Sequence, residues 1–330
     1  MTGPGPAGNP SRWRDYALMA GLLAFVILGL VALAAATGWE ETMTQVKRLT
    51  WSQVGILLLL SLCNYLARGL RWHLFARRLA PQTCLIQNLR HFLGGLAMAV
   101  TPGRLGELVR MRWLNRETGI GFERAAPLML VDRATDLSAM ALLLAISIAL
   151  SATGITGAVP VAVLALVAAY VSTRAGILMA ITTFAYRLIG RLPRLFARLR
   201  RAVRALALFT TPGVLSIATL IGCLGWFAEG YAFWLLLTWM GAETGLAAAI
   251  GIFVFSTLAG SATGAPGGVG GAEAAMVALL SLDGIPLDVS IPATAIIRLT
   301  TLWFAILIGL MVFPMAERQS AKVGHALERN

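Results

Sequence analysis

Charge is scarce in this sequence. Asp, Glu, Lys and Arg together make up 13% of its 330 residues, about half the roughly 25% of a soluble domain. So thin a supply cannot cover a soluble surface. A hydrophobic content of 58% and a mean hydropathy of +0.77 exclude extended disorder as well. Lysine is nearly missing: Lys47 and Lys322 are the two present, and the other 25 of the 27 basic residues are arginine. Cysteine is also sparse. Cys63, Cys84 and Cys223 are scattered, two of them in apolar runs, which gives neither a disulfide framework nor metal-ligand spacing. The histidines are His73, His91 and His325, and no GxxxxGK[ST] phosphate loop is present. No metal, no cofactor and no ATP-driven pumping by this chain are expected.

Apolar sequence fills the space. A helix needs about 20 apolar residues to cross the hydrocarbon core of a bilayer. Six stretches meet or approach that length: Tyr16–Ala36, Trp51–Ala67, Ala126–Leu150, Ala158–Thr173, Val214–Met240 and Ser290–Met315. The second and fourth are short. Two further apolar stretches, His91–Val100 and Leu246–Ala259, are too short to span, and each runs into a Pro-Gly cluster. Residues 1–14, rich in Gly and Pro, read as a disordered tail rather than a signal peptide, because the apolar run after Arg14 is too long for one. Residues 15–315 read as one membrane domain and 316–330 as a second tail.

The net charge of +12 would suggest nucleic acid in a soluble protein; here it reads as basic loops facing anionic lipid. Arginine is dense in 68–125 (ten) and 174–212 (eight), whereas the expected opposite side holds only Lys47 and Arg48. This asymmetry predicts both termini cytoplasmic, provided each Pro-Gly element enters and leaves the membrane on one side. The run from Tyr186 to Phe209 mixes Arg with Leu, Phe and Ala at helical spacing and reads as an interfacial amphipathic helix. The expected fold is therefore all-α: a polytopic bundle of about six spanning helices and two re-entrant broken helices.

The two Pro-Gly clusters resemble each other. The first reads Thr101-Pro102-Gly103-Arg104-Leu105-Gly106-Glu107, the second Ala265-Pro266-Gly267-Gly268-Val269-Gly270-Gly271-Ala272-Glu273. Each has an arginine inside the following span: Arg133, 31 residues after Pro102, and Arg298, 32 after Pro266. Entering from opposite faces, the copies form an inverted repeat, which in transporters puts the substrate site at the repeat interface. Pro and Gly break the helix, and the helix that restarts offers unsatisfied N–H groups and a positive dipole end to an anion. Asp132, Arg133, Asp136, Glu229 and Arg298 lie inside apolar spans, where each charge costs about 2.5–3.5 kcal/mol unless paired or wetted. Asp132 and Asp136 share one helical face. These groups read either as ion pairs that tolerate burial or as a polar cavity for a charged substrate. Glu107 and Glu273 read either as complements of the restarting helix or as substrate contacts.

The segments PGRLGELVR, VDRATDL and PGGVGGAEAAM, in this order, resemble the flippase-type transmembrane domain of bacterial lysylphosphatidylglycerol synthases, a superfamily that includes stand-alone membrane proteins. The resemblance runs from Asp15 to Met315. It implies a helical bundle that moves lipids or lipid-linked groups across the inner membrane. By motif position it carries over Arg104 and Glu107; Asp132, Arg133 and Asp136; and Gly267, Gly268, Gly270 and Glu273. Asp132 stands where the family more often has Glu. With 15 residues after Met315, no aminoacyl-transferring domain is expected here, and no enzyme activity.

Three functions are compatible with these residues. The first is a flippase or scramblase for an anionic or zwitterionic headgroup, or for a polyprenyl-phosphate-linked group, driven passively or by protons through Glu229 or the Asp132/Asp136 pair. The second is an enzyme acting on lipid phosphates, which lacks the clustered acids such chemistry uses. The third is a non-transporting subunit of a biosynthetic complex. The Gly-rich segment Gly241–Gly260 could pack within one chain or between copies, so a homo-oligomer or a biosynthetic partner protein stays open.

Overall fold

The computed structural model describes residues 49–101, 105–151, 159–189, 193–206 and 208–327. The expected span Tyr16–Ala36, the N-terminal tail, and Pro102, Gly103 and Arg104 lie outside the described residues.

Among the described residues the protein is helical and has no strand. Helix α1, Trp51–Leu79, starts on a capping box: the Gln53 N–H donates to Thr50 Oγ1 and the Thr50 N–H to Gln53 Oε1. It ends on Arg77 and Arg78, cations placed at the negative end of the helix dipole. Its 29 residues span about 43 Å, more than the roughly 30 Å hydrocarbon core. The sequence-based limit at Ala67 is therefore corrected by 12 residues. Arg68 and Arg71, assigned above to a basic loop, lie within the helix.

Helix α2 (Leu85–Gly95), a short 3₁₀ turn (Leu96–Met98) and α3 (Leu105–Thr118) form the first broken hairpin. Helix α4 (Phe122–Leu150) is a full-length apolar span. Helices α5 (Val159–Thr173) and α6 (Ala175–Ile189) meet at Arg174 with an 85° bend, so the fourth expected span is one arm of a bent pair. The apolar helix α6 begins inside the segment read as a basic loop. That loop also holds α7 (Pro193–Leu206), in the interfacial run. Helix α8 (Pro212–Trp239) opens with Pro at its first position, where no N–H is needed. The second broken hairpin is α9 (Leu246–Ala262) with α10 (Gly271–Leu282). The last rod is α11 (Leu287–Arg298), a π turn (Leu299–Trp303) and α12 (Phe304–Leu327). It carries helix well past the expected limit at Met315.

Among the described residues, four helices are long and apolar enough to cross a membrane, and a fifth crossing results if the bent α5–α6 pair counts as one. In the second hairpin α9 and α10 pack on each other, and so do α2 and α3 in the first. The arms are too short to cross singly. One apolar core gathers α4, α8 and α9 around Phe233, Leu236, Phe253 and Leu258. A second holds Trp72, Phe75, Phe92 and Leu128 from α1, α2 and α4.

The tips of the hairpins touch. A Cβ placed on Gly267 would stand 2.8 Å from Val100 Cγ1, so Val100 of the first hairpin rests on bare backbone of the second. Gly267, Gly268 and Gly270 all have positive φ, at 65°, 68° and 85°. Only glycine takes that conformation three times within four residues without strain.

Candidate functional site

The polar groups collect where the hairpins meet α1, α4, α8 and the last rod. Along α1, Ser61, Asn64, Arg68 and Arg71 recur at helical spacing on one face, and Ser61, Asn64 and Arg71 are fully buried. Across from them α4 presents Asp132 and Asp136. Arg71 donates through Nε and Nη2 to Asp132 Oδ1, at 2.9 and 2.8 Å, and its Nη1 lies 2.8 Å from Asp136 Oδ1. Arg68 reaches Asp136 Oδ2 at 2.9 Å. Trp226 Nε1 on α8 donates to Asp136 Oδ1 as well, at 3.2 Å. The Asp132/Asp136 face is thus filled from neighbouring helices, and the local Arg133–Asp136 contact is only a loose 3.6 Å.

Arg133 turns instead to Glu107 in the first turn of α3, its close ion-pair partner. The second copy repeats this pair. Arg298 Nε donates to Glu273 Oε1 at 2.5 Å, and Arg298 Nη2 donates to the Gly267 carbonyl at 2.9 Å. The other Glu273 oxygen accepts from the Gly270 N–H at 2.6 Å, at the start of α10. Glu273 therefore complements the restarting helix and holds Arg298 at once. Just beyond Arg298 the π turn widens the helix, and the Tyr65 hydroxyl donates to the Thr301 carbonyl exposed there.

Together these groups border a cavity of about 180 Å³, lined by Glu107, Arg133, Glu229, Gly267 and Arg298 among the residues singled out from sequence. Gly268, Gly270 and Glu273 shape the second tip beside it, and Asp132 and Asp136 stand behind it as counter-ions. Arg104 lies outside the described residues. Arg68, Arg110, Tyr65 and Trp226 also line the cavity. Sequence reasoning missed the two arginines by counting them with a cytoplasmic loop. The S-x-x-N-x-x-x-R-x-x-R spacing on α1 and the i, i+3 pair Glu107/Arg110 were the signals available.

Arg110 differs from the others. It is 3% exposed, and its Nε and Nη1 have no hydrogen-bond partner among the described residues. Its guanidinium lies 4.2 Å from the Phe92 ring centroid and 5.6 Å from that of Trp72, in cation–π contact with both. Gly95 makes its place, since a Cβ there would strike the Arg110 side chain.

Two carboxylates fix α3 from its far end. Glu317 of α12 accepts from Trp113 Nε1 at 2.7 Å and Arg116 at 2.6 Å, and pairs with Arg112. Glu117 joins Arg90 at 2.7 Å, His91 at 3.1 Å and Gln87 of α2. Burial pushes the Glu117 carboxyl up, but His91, Gln87 and Arg90 together hold it below the ordinary carboxylate range.

The family model for the lysylphosphatidylglycerol synthase TM region matches residues 18–309. A relative from Methanothermobacter thermautotrophicus, described as a UPF0104 membrane protein, is 25% identical over 305 residues, covering 87% of this chain and 90% of its own. With broken hairpins, paired Glu–Arg contacts and a match across most of its length, the chain belongs to the lysylphosphatidylglycerol synthase transmembrane-region family.

Proposed function

We propose that this protein translocates a lipid or a lipid-linked headgroup across the bacterial inner membrane, as a flippase or scramblase, with the headgroup phosphate bound in the central cavity. The observation that carries this reading is Arg110: a buried guanidinium facing a cavity, with no ion-pair partner among the described residues. An unpaired charge at such depth is costly, and a phosphate supplies the oxygens that a guanidinium fork engages in two parallel bonds. Membership of the family supports a membrane-lipid substrate. The chain acts without covalent chemistry. The matched Glu–Arg pairs support an inverted repeat, with the hairpins entering from opposite faces and both termini cytoplasmic.

The test is lipid movement in liposomes carrying headgroup-labelled phospholipids, with the protein reconstituted at matched density. Arg110→Gln should lower the rate at least about tenfold, a loss of roughly 1.4 kcal/mol at the barrier. Exposed Arg78→Gln should leave it unchanged. Equal rates for both variants would remove the anion site and the reading with it.

A further inference from the structure

Among the described residues, five arginines and five acidic side chains stand in and behind the cavity, and their pairing is incomplete. Arg68, Arg71, Arg133 and Arg298 are held by Asp132, Asp136, Glu107 and Glu273. That leaves Arg110 and Glu229. Glu229, 5% exposed on α8, has no cation within ion-pair distance among the described residues, although Arg68 and Arg298 share the cavity with it. Arg110 and Glu229, the two left over, line the same space. Around Glu229 the walls are aromatic: Trp226 lies one turn earlier on α8, and Tyr65 and Phe253 line the same cavity.

We infer that the cavity is built for a zwitterionic phospho-amine headgroup, the phosphate set against Arg110 and the ammonium against Glu229. This rests on the reading that the cavity takes a headgroup, and names its class. A purely anionic headgroup would satisfy Arg110 but leave the Glu229 carboxyl without a cation to meet it. A purely cationic ligand meets the same difficulty at Arg110. A headgroup carrying both charges completes both at once, beside the aromatic residues Trp226, Tyr65 and Phe253 that line the same space. Arg68 already lies over the Trp226 ring, 5.2 Å from its centroid, so that surface accepts a cation. The space of about 180 Å³ holds roughly a dozen water-sized groups, enough for a phosphate joined to a two-carbon amine.

The experiment is equilibrium binding to the full-length protein in detergent, with short-chain phosphatidylethanolamine, short-chain phosphatidylglycerol and free glycerophosphoethanolamine as probes. Phosphatidylethanolamine should bind at least about tenfold tighter than phosphatidylglycerol, a difference of roughly 1.4 kcal/mol. Glu229→Gln should reduce that preference to within about twofold, and Arg110→Gln should weaken both lipids. Equal affinity of the wild-type protein for the two lipids overturns the inference, as does failure of phosphatidylethanolamine to bind. The wild-type comparison needs no variant, so a misfolded mutant cannot rescue the idea. If free glycerophosphoethanolamine binds as tightly as the lipid, the zwitterion site stands and the translocation reading fails. If the lipid preference holds but no lipid moves in liposomes, translocation again fails alone.

Discussion

Arg298 and Glu273 are joined at 2.5 Å over a separation of 25 residues, and Arg133 and Glu107 are joined over 26. The sequence repeat is therefore a repeat of an ion pair, each carboxylate lying in the first turn of a restarting helix and each arginine in the span that follows. The two arginines should behave as counterparts. Arg133→Ala and Arg298→Ala are each expected to slow lipid movement at least about tenfold, close to one another in size. Assay in liposomes beside Arg78→Ala reads this directly. A large loss in one and none in the other would break the equivalence of the copies.

The three glycines of the second tip should differ in what they tolerate. All have positive φ, so each alanine carries a strain of about 1–2 kcal/mol. Gly270 faces open space, whereas a Cβ on Gly267 meets the flexible end of Val100 and a Cβ on Gly268 meets the Gly260 backbone at 3.1 Å. Melting temperatures in detergent should fall least for Gly270→Ala and most for Gly268→Ala, since backbone cannot move aside. Equal losses at all three would mean that φ alone, and not the close approach, demands glycine.

Asp132 is the counter-ion of a fully buried arginine. Asp132→Asn leaves Arg71 with only Asp136, which Arg68 already shares. Breaking a buried pair from one side costs about 3–5 kcal/mol. Thermal or denaturant unfolding should report a loss of that order. A loss under about 1 kcal/mol would place this pair among weakly coupled surface pairs.

Glu117 gives a pH-dependent signature. Its folded carboxyl lies below the ordinary range, so its contribution is present above the unfolded value of about 4.3 and is lost as pH falls through the lowered folded value. Glu117→Gln should melt earlier than the native protein at pH 7, and the gap should close on acidification below about pH 4. A gap that persists or widens in acid would show that shape, not ionisation, holds α2 to α3.

The chain's lipid-seeking composition, both broken hairpins and the Glu107, Arg133, Glu273 and Arg298 quartet were legible in the sequence, because Pro-Gly clusters and charges inside apolar runs stand out against their surroundings. Arg68, Arg71 and Arg110 were not. They sit in a stretch dense in arginine, where a window of composition reads as loop, and only the helical spacing of Ser61, Asn64, Arg68 and Arg71 separates buried from exposed. Helix α6 was overlooked for a similar reason: it has 15 residues, begins just after Arg174 and contains Arg187. Glu229 was visible as a buried acid, but its lack of an ion-pair partner among the described residues is a property of packing and has no local signature.

The contact between Val100 and Gly267 has a mechanical meaning. Around it lie Trp303, Ile306, Ala99, Leu302 and Leu310, an apolar patch with the charged cavity beside it. Dispersion between a pair of atoms is worth only about 0.1–0.2 kcal/mol, and it vanishes over a short displacement. The Glu107–Arg133 and Glu273–Arg298 pairs tie each hairpin to the span that follows it, and Glu317 of α12 ties the first hairpin to the last rod. At the tips themselves the two hairpins meet through apolar atoms, so this contact holds by closeness of fit and weakens sharply with any separation of the two.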